Sequence, residues 1–126
     1  QRRSTSGQRL TALRRLATTV PLPVQLDVCP EPLPDEIATT AYYVASEAVS
    51  NAVKHADADT IAVRVARDAG RLQVSVRDDG RGGATARSGS GLAGLTDRVA
   101  AAGGALQVRS APGRGTLVEA VLPCAS

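Results

Sequence analysis

Two kinds of hydrophobic spacing alternate along this chain. From Asp35 to about Ala56, apolar residues recur at helical intervals. Ile37, Ala41, Val44, Ala45, Ala48 and Ala52 fall on one face, and Val49 and Val53 widen it. Asp35 or Pro34 marks the start of this helix. Two alternating runs follow, Thr60–Arg67 and Arg71–Arg77, joined by a tight Asp68-Ala-Gly70 turn. Ile61, Val63 and Val65 share one face of the first run, and Leu72, Val74 and Val76 one face of the second, so a hairpin is predicted. Leu92–Ala102 returns to helical spacing and ends at Gly103-Gly104. A second hairpin, Ala105–Ser110 and Thr116–Leu122, turns on Pro112-Gly113-Arg114-Gly115. Upstream, Val24–Val28 alternates as a strand, and Pro30, Pro32 and Pro34 separate it from the long helix. Residues 10–17 have helical spacing over a short segment, and residues 1–9 are polar and Arg-rich. The expected division is a linker or the remnant of a connecting helix over 1–20, and one domain over 21–126. The order strand, helix, hairpin, loop, helix, hairpin predicts a two-layer α/β sandwich, a mixed sheet with helices on one face.

Composition narrows this picture. The chain has 126 residues, enough for one domain, and 43% are hydrophobic, enough for a core. There is no Phe, Trp or Met and only two Tyr, so Ala, Val and Leu must fill that core. The net charge of +3 comes from fourteen Arg and one Lys against twelve acids. A nucleic-acid surface would gather Arg on one face with aromatics for stacking. Here Arg64, Arg67, Arg71, Arg77 and Arg109 are spread through strands, so no nucleic-acid partner is expected. Cys29 and Cys124 lack metal-ligand spacing and read as core residues or thiols in a reducing compartment, with one disulfide left open. No run of eighteen apolar residues and no signal-peptide pattern occurs, and a cytoplasmic location is expected.

The polar residues of the long helix carry the first chemical signal. At about 100° per residue, Glu47, Asn51 and Lys54 fall within a strip about 60° wide, bordering the apolar face. A magnesium-bound polyphosphate suits such a strip. Asn offers a neutral oxygen to the metal, Glu orients a water or polarises a nucleophile, and Lys offsets phosphate charge. The plainer reading is a solvated helix flank. His55, the sole histidine, reads by itself as a helix C-terminal residue favoured by the dipole. Asp78 ends an alternating strand before Gly80 and Gly82. A carboxylate there can accept a hydrogen bond from a base amino group, and glycines let a flat ring approach the backbone. The plainer reading is an Asp-Asp-Gly turn, and Asp79 fits turn chemistry better than ligand contact. Residues 80–91 are rich in Gly, Ser and Arg and read as a long functional loop. Gly89-Ser-Gly91-Leu92-Ala-Gly94 matches G-x-G-x-x-G, yet no strand feeds it and Arg114 stands where an acid is needed, which argues against a dinucleotide fold. A glycine loop feeding a helix N-terminus still favours phosphate. Gly115-Thr116 places a hydroxyl at the start of the last strand, or is simply a hairpin turn.

Their order and spacing are together specific. Glu47-x-x-x-Asn51-Ala-x-Lys54-His55 resembles the N box of sensor histidine kinase ATP-binding domains, within the GHKL ATPase superfamily. Asp78-x-Gly80-x-Gly82 resembles the first glycine box, Gly89-x-Gly91-Leu92 the second, and Gly115-Thr116 the final Gly-Thr motif. Gly91-Leu92-Ala-Gly94-Leu-Thr-Asp-Arg98-Val followed by Gly103-Gly104 is similar to kinases that pair with LuxR/NarL-type response regulators.

The resemblance implies a Bergerat-type fold and Mg-ATP as ligand. It implies Asp78 on the adenine amino group with Thr116 nearby, and Asn51 on Mg2+. Lys54 and His55 would lie near the phosphates, with Glu47 assisting transfer and residues 83–91 as the lid. It further implies a phosphoacceptor His on a separate dimerisation domain, a homodimeric parent protein and a monomeric isolated domain. Membrane attachment of the parent is left open. His55 lies inside the N box and is not that acceptor, and the F box of many such kinases is missing because the chain has no Phe. Two other functions share these motifs: a serine kinase of the anti-sigma-factor type, and a non-catalytic ATP-sensing or interaction module.

Overall fold

The computed structural model describes residues 5–29, 33–55, 59–80, 92–110 and 115–124. In chain order the elements are α1 (Thr5–Thr19), β1 (Val24–Val28), α2 (Asp35–His55), β2 (Ile61–Asp68), β3 (Arg71–Asp78), α3 (Leu92–Ala101), β4 (Ala105–Ser110) and β5 (Thr116–Pro123). The strands form one sheet in the order β1-β2-β3-β5-β4. β1 and β2 are parallel and the other neighbours antiparallel, so the sheet is mixed as predicted.

The alternation read in the hairpins sets the two faces. Along β3, Leu72, Val74, Val76 and Asp78 are buried, while Arg71, Gln73 and Arg77 are exposed. β5 repeats the pattern with Thr116, Val118, Ala120 and Leu122 buried. The inward side chains meet Val44, Ala45, Ala48, Val49 and Ala52 of α2. Alanine at so many of these positions lets the helix lie close to the sheet and fill a core without Phe, Trp or Met. Val53, counted on the apolar face from its spacing, is instead 37% exposed and lies on the rim of the buried stripe.

Element ends follow local chemistry. The Pro34 carbonyl accepts the Ala38 N–H (2.9 Å), and Asp35 and Glu36 place acids in the first turn of α2, where the helix dipole favours them. α3 closes with paired bonds from Gly103 N to the Ala100 carbonyl and from Gly104 N to the Val99 carbonyl, each 2.9 Å, with Gly103 at φ +85°. This is the glycine-capped ending expected from Gly103-Gly104. Arg98 stacks 4.0 Å from the Tyr43 ring centroid and ties α3 to α2. α1 begins at Thr5, earlier than its apolar spacing reveals, and buries Leu13. Cys29 and Cys124 are not joined by a disulfide, and Cys124 is fully buried.

Topology gathers the interesting ends. Parallel β1 and β2 need a crossover, and α2 supplies it, so its last turn returns to the level of Ile61. Ile61 lies opposite Asp78, Asp78 opposite Thr116, and Thr116 opposite Ser110. α3 reverses into β4 at Gly103-Gly104, so its first turn lies at this same end of the sheet. No helix among the described residues is long and apolar enough to cross a membrane.

The β2–β3 turn holds Ala69 at φ 52° and Gly70 at φ 77°, both left-handed, as a two-residue hairpin turn requires. Alanine is strained there, and asparagine tolerates the region better. Ala69→Asn should raise stability to urea by about 0.5–1 kcal/mol. An equal or lower urea midpoint would mean that the turn takes another shape in solution.

Candidate functional site

Asp78 and Thr116 face each other at the end of the β3–β5 ladder, both on the helix side and both only 7% exposed. A carboxylate at that depth needs donors. Asp78 Oδ1 accepts the Gly80 N–H at 2.8 Å, which folds the chain back past the strand end. Oδ2 makes no hydrogen bond among the described residues and is left as an acceptor. The Thr116 hydroxyl lies 2.9 Å from the Ser110 hydroxyl across the β4–β5 pair. Ser110 Oγ also lies 3.3 Å from the Gly115 carbonyl, within donating reach. Gly115 has φ +77°, and a Cβ there would overlap the Asp78 carbonyl oxygen. Only glycine allows β3 and β5 to close at this point. An open cleft of about 590 Å³ adjoins this end, lined among others by Asp78, Ser110, Gly115 and Thr116, with Arg77 and Arg109.

The α2 strip stands where the helical arithmetic puts it, in the last turns of the crossover helix. Glu47 and Asn51 are half-buried and Lys54 is exposed. The Asn51 Nδ2 atom is buried and has no hydrogen-bond partner among the described residues. A buried amide left unpaired costs about 1–3 kcal/mol, so the position implies a missing partner. The oxygen and nitrogen of a carboxamide exchange places by a flip, so Asn51 can offer an oxygen to a cation or an N–H to an anion. Among the described residues no three His, Cys, Asp or Glu gather as a metal cage. His55 closes α2 at the same end, and Leu92 opens α3. Gly80 is buried in the turn after β3. Gly82, Gly89 and Gly91 and the lid expected over 83–91 lie outside the described residues.

Two participants were not singled out by sequence reasoning. Ser110 ends an edge strand with nothing local to mark it. Asp79, read as turn chemistry, also reaches across the fold. Its Oδ1 accepts the Asp59 N–H at 2.8 Å and the Thr60 N–H at 2.9 Å, and its Oδ2 accepts the Thr60 hydroxyl at 3.0 Å. The Thr60 backbone bond, then that from Asp59, holds its carboxyl below the ordinary value of 3.8. The stabilisation is therefore full above the unfolded-state value and is lost as pH falls through the lower folded one.

The chain thus combines a five-stranded mixed sheet, a polar strip on the crossover helix and a buried acid at the sheet end. Residues 36–126 match the family described as histidine kinase-, DNA gyrase B- and HSP90-like ATPases, and the chain belongs to that family. It is 35% identical over 128 residues to the sensor histidine kinase YxjM of Bacillus subtilis, an alignment covering 96% of this chain and 32% of that protein. It is 37% identical over 92 residues to YdfH, another B. subtilis sensor histidine kinase, covering 68% of this chain and 23% of that protein. The chain thus spans a third or less of these two relatives. Among solved structures, the histidine kinase domain of the blue-light activated kinase EL346 from Erythrobacter litoralis superposes with a TM-score of 0.79. That match has 23% identity and covers 94% of this chain and 60% of that one, and it supports the fold. The α/β sandwich is that of histidine kinase ATPase domains, and this is the ATP-binding domain type of sensor histidine kinases.

Gly115→Ala should lower stability by about 1–3 kcal/mol, since it combines a strained φ with a backbone overlap. Urea denaturation measures it, and an unchanged midpoint would mean that β3 and β5 do not close as described.

Proposed function

We propose that this domain binds Mg-ATP and donates the γ-phosphate to a histidine on a separate dimerisation domain, for relay to a response regulator of the LuxR/NarL type. The observation that carries this reading is Asp78, a buried carboxylate with one oxygen committed to its own turn and the other unbonded among the described residues. In the proposed pose Oδ2 accepts the adenine amino group. Gly80 and Gly82 allow the ring close to the backbone, and the Thr116 hydroxyl completes the base-binding end.

Asn51, with its unpartnered buried amide, fits a ligand for Mg2+, and Glu47 lies one turn away. A bound Mg2+ would neutralise phosphate charge while keeping waters and phosphate oxygens in its shell. Lys54 and His55 stand at the phosphate end. Glu47 orients the incoming histidine. Gly89, Gly91 and Leu92 lead into α3, whose N-terminal dipole favours the phosphates. Residues 83–91 act as the lid that excludes water. The parent protein acts as a homodimer in the cytoplasm, where its ATP is.

The chain extended upstream through any preceding helix tests transfer. After incubation with γ-labelled Mg-ATP, acid-labile and base-stable protein label is expected, the signature of phosphohistidine. Acid-stable, base-labile label would instead point to a serine kinase, and binding without label to a sensing module.

Asp78→Asn should weaken ATP binding by more than about a hundredfold, because an amide donor then faces an amino donor. Calorimetric titration giving wild-type affinity would sink the adenine assignment. Asn51→Ala should mainly abolish the gain in affinity that magnesium brings, and an undiminished magnesium response would place the ion elsewhere.

A further inference from the structure

We propose that Asp79 is a positioning residue of the nucleotide site: it clamps the chain that leaves α2 onto the end of β3, and so holds the Asp78 acceptor in register with Asn51 and Lys54. The proposal rests on the reading of Asp78 as base acceptor.

Asp79 is exposed at a turn, where an acid usually bonds its own backbone. Here three donors 19 and 20 residues earlier in the chain converge on it. The β2–β3 register begins at Ile61, whose own N–H goes to the Pro23 carbonyl at 3.1 Å. The Asp59 and Thr60 amides precede that ladder, and Asp79 is the acceptor they share. A carboxylate suits the task because charge-assisted bonds are about twice as strong as neutral ones.

The consequence is geometric. Asp78 and Asp79 are adjacent, and their side chains diverge. Asp78 turns into the helix layer, and Asp79 grips the segment that follows the α2 strip. A fixed Asp79 therefore fixes two things together: the direction of the Asp78 carboxylate, and the place where the chain returns from α2. Loosening it lets the base acceptor and the strip drift apart, and small misplacements are costly in preorganised sites.

The test compares Asp79→Ala, Asp79→Asn and Thr60→Val with the wild type. Affinities for adenosine and ADP are measured alongside amide hydrogen exchange at Asp59 and Thr60. Asp79→Ala should weaken adenosine and ADP by a similar factor, about tenfold, because the effect runs through the base acceptor. Exchange at Asp59 and Thr60 should quicken. Asp79→Asn keeps an oxygen for both amides and should restore affinity to within about threefold. Thr60→Val removes only the hydroxyl contact and should weaken both ligands slightly, which keeps the test open if Asp79→Ala fails to fold. A variant with lowered melting temperature but wild-type affinities would overturn the proposal by making the clamp purely structural. So would unchanged exchange at the two amides. If Asp78→Asn still binds ADP as the wild type does, the base reading itself fails, and this inference falls with it.

Discussion

The close approach of β3 and β5 at Asp78 and Gly115 is the constraint on which the candidate site depends. Backbone atoms occupy the space that a side chain at Gly115 would need, so the ladder closes only with glycine there. Closure puts Asp78 opposite Thr116, and the inward phase of both strands turns the two side chains under the helix layer. A one-residue slip in β3 would send Asp78 to solvent and bring Arg77 inward, and a slip in β5 would do the same with Thr116 and Leu117. The same alternation that buries Val74, Val76, Val118 and Ala120 therefore aims the polar pair. Packing and chemistry share one register.

α2 performs the matching service from the other layer. Its apolar stripe fixes its rotation against the sheet, and Glu47 and Asn51 border that stripe. They are held half-covered rather than waving in solvent. The unpartnered Asn51 amide is the one buried polar side-chain atom without a hydrogen bond among the described residues. Proteins rarely leave such a group unless something else completes it. An unsatisfied amide on the helix layer and, on the sheet, a buried carboxylate with one oxygen unbonded among the described residues are what a ligand site looks like before its ligand arrives.

Most of the architecture was legible in the sequence, because periodicity is a local signal. The 3.6-residue spacing of Ile37 through Ala52 and the strict alternation of Ile61 to Val65 and Leu72 to Val76 leave little room for other elements. The glycines at 70, 103 and 104 marked turns that the structure contains, and the turn read at Pro112-Gly113-Arg114 lies outside the described residues. The first turns of α1 were less visible, since Thr5, Ser6 and Gln8 show no apolar stripe. Val53 misled because it lies one step past the edge of the buried arc. What local reading could not supply were contacts between distant segments. Asp79 looks like any turn acid until the fold brings Asp59 and Thr60 to it. Ser110 is an ordinary strand-end serine until β5 sets Thr116 beside it. Roles assigned to Glu47, Lys54, His55 and the lid glycines came from motif resemblance, and single-residue physics by itself left them open.

The central claim is that one end of the sheet and the last turns of α2 form a single nucleotide site. Amide chemical-shift mapping during titration with Mg-ATP tests it most directly, because it reports every part of the domain at once. The account predicts that the largest shifts fall together at Asn51, Asp78, Gly80 and Thr116, with the outward-facing Gln73, Gln107 and Glu119 unmoved. Shifts confined to the outer face of the sheet, or to α2 without Asp78 and Thr116, would contradict it.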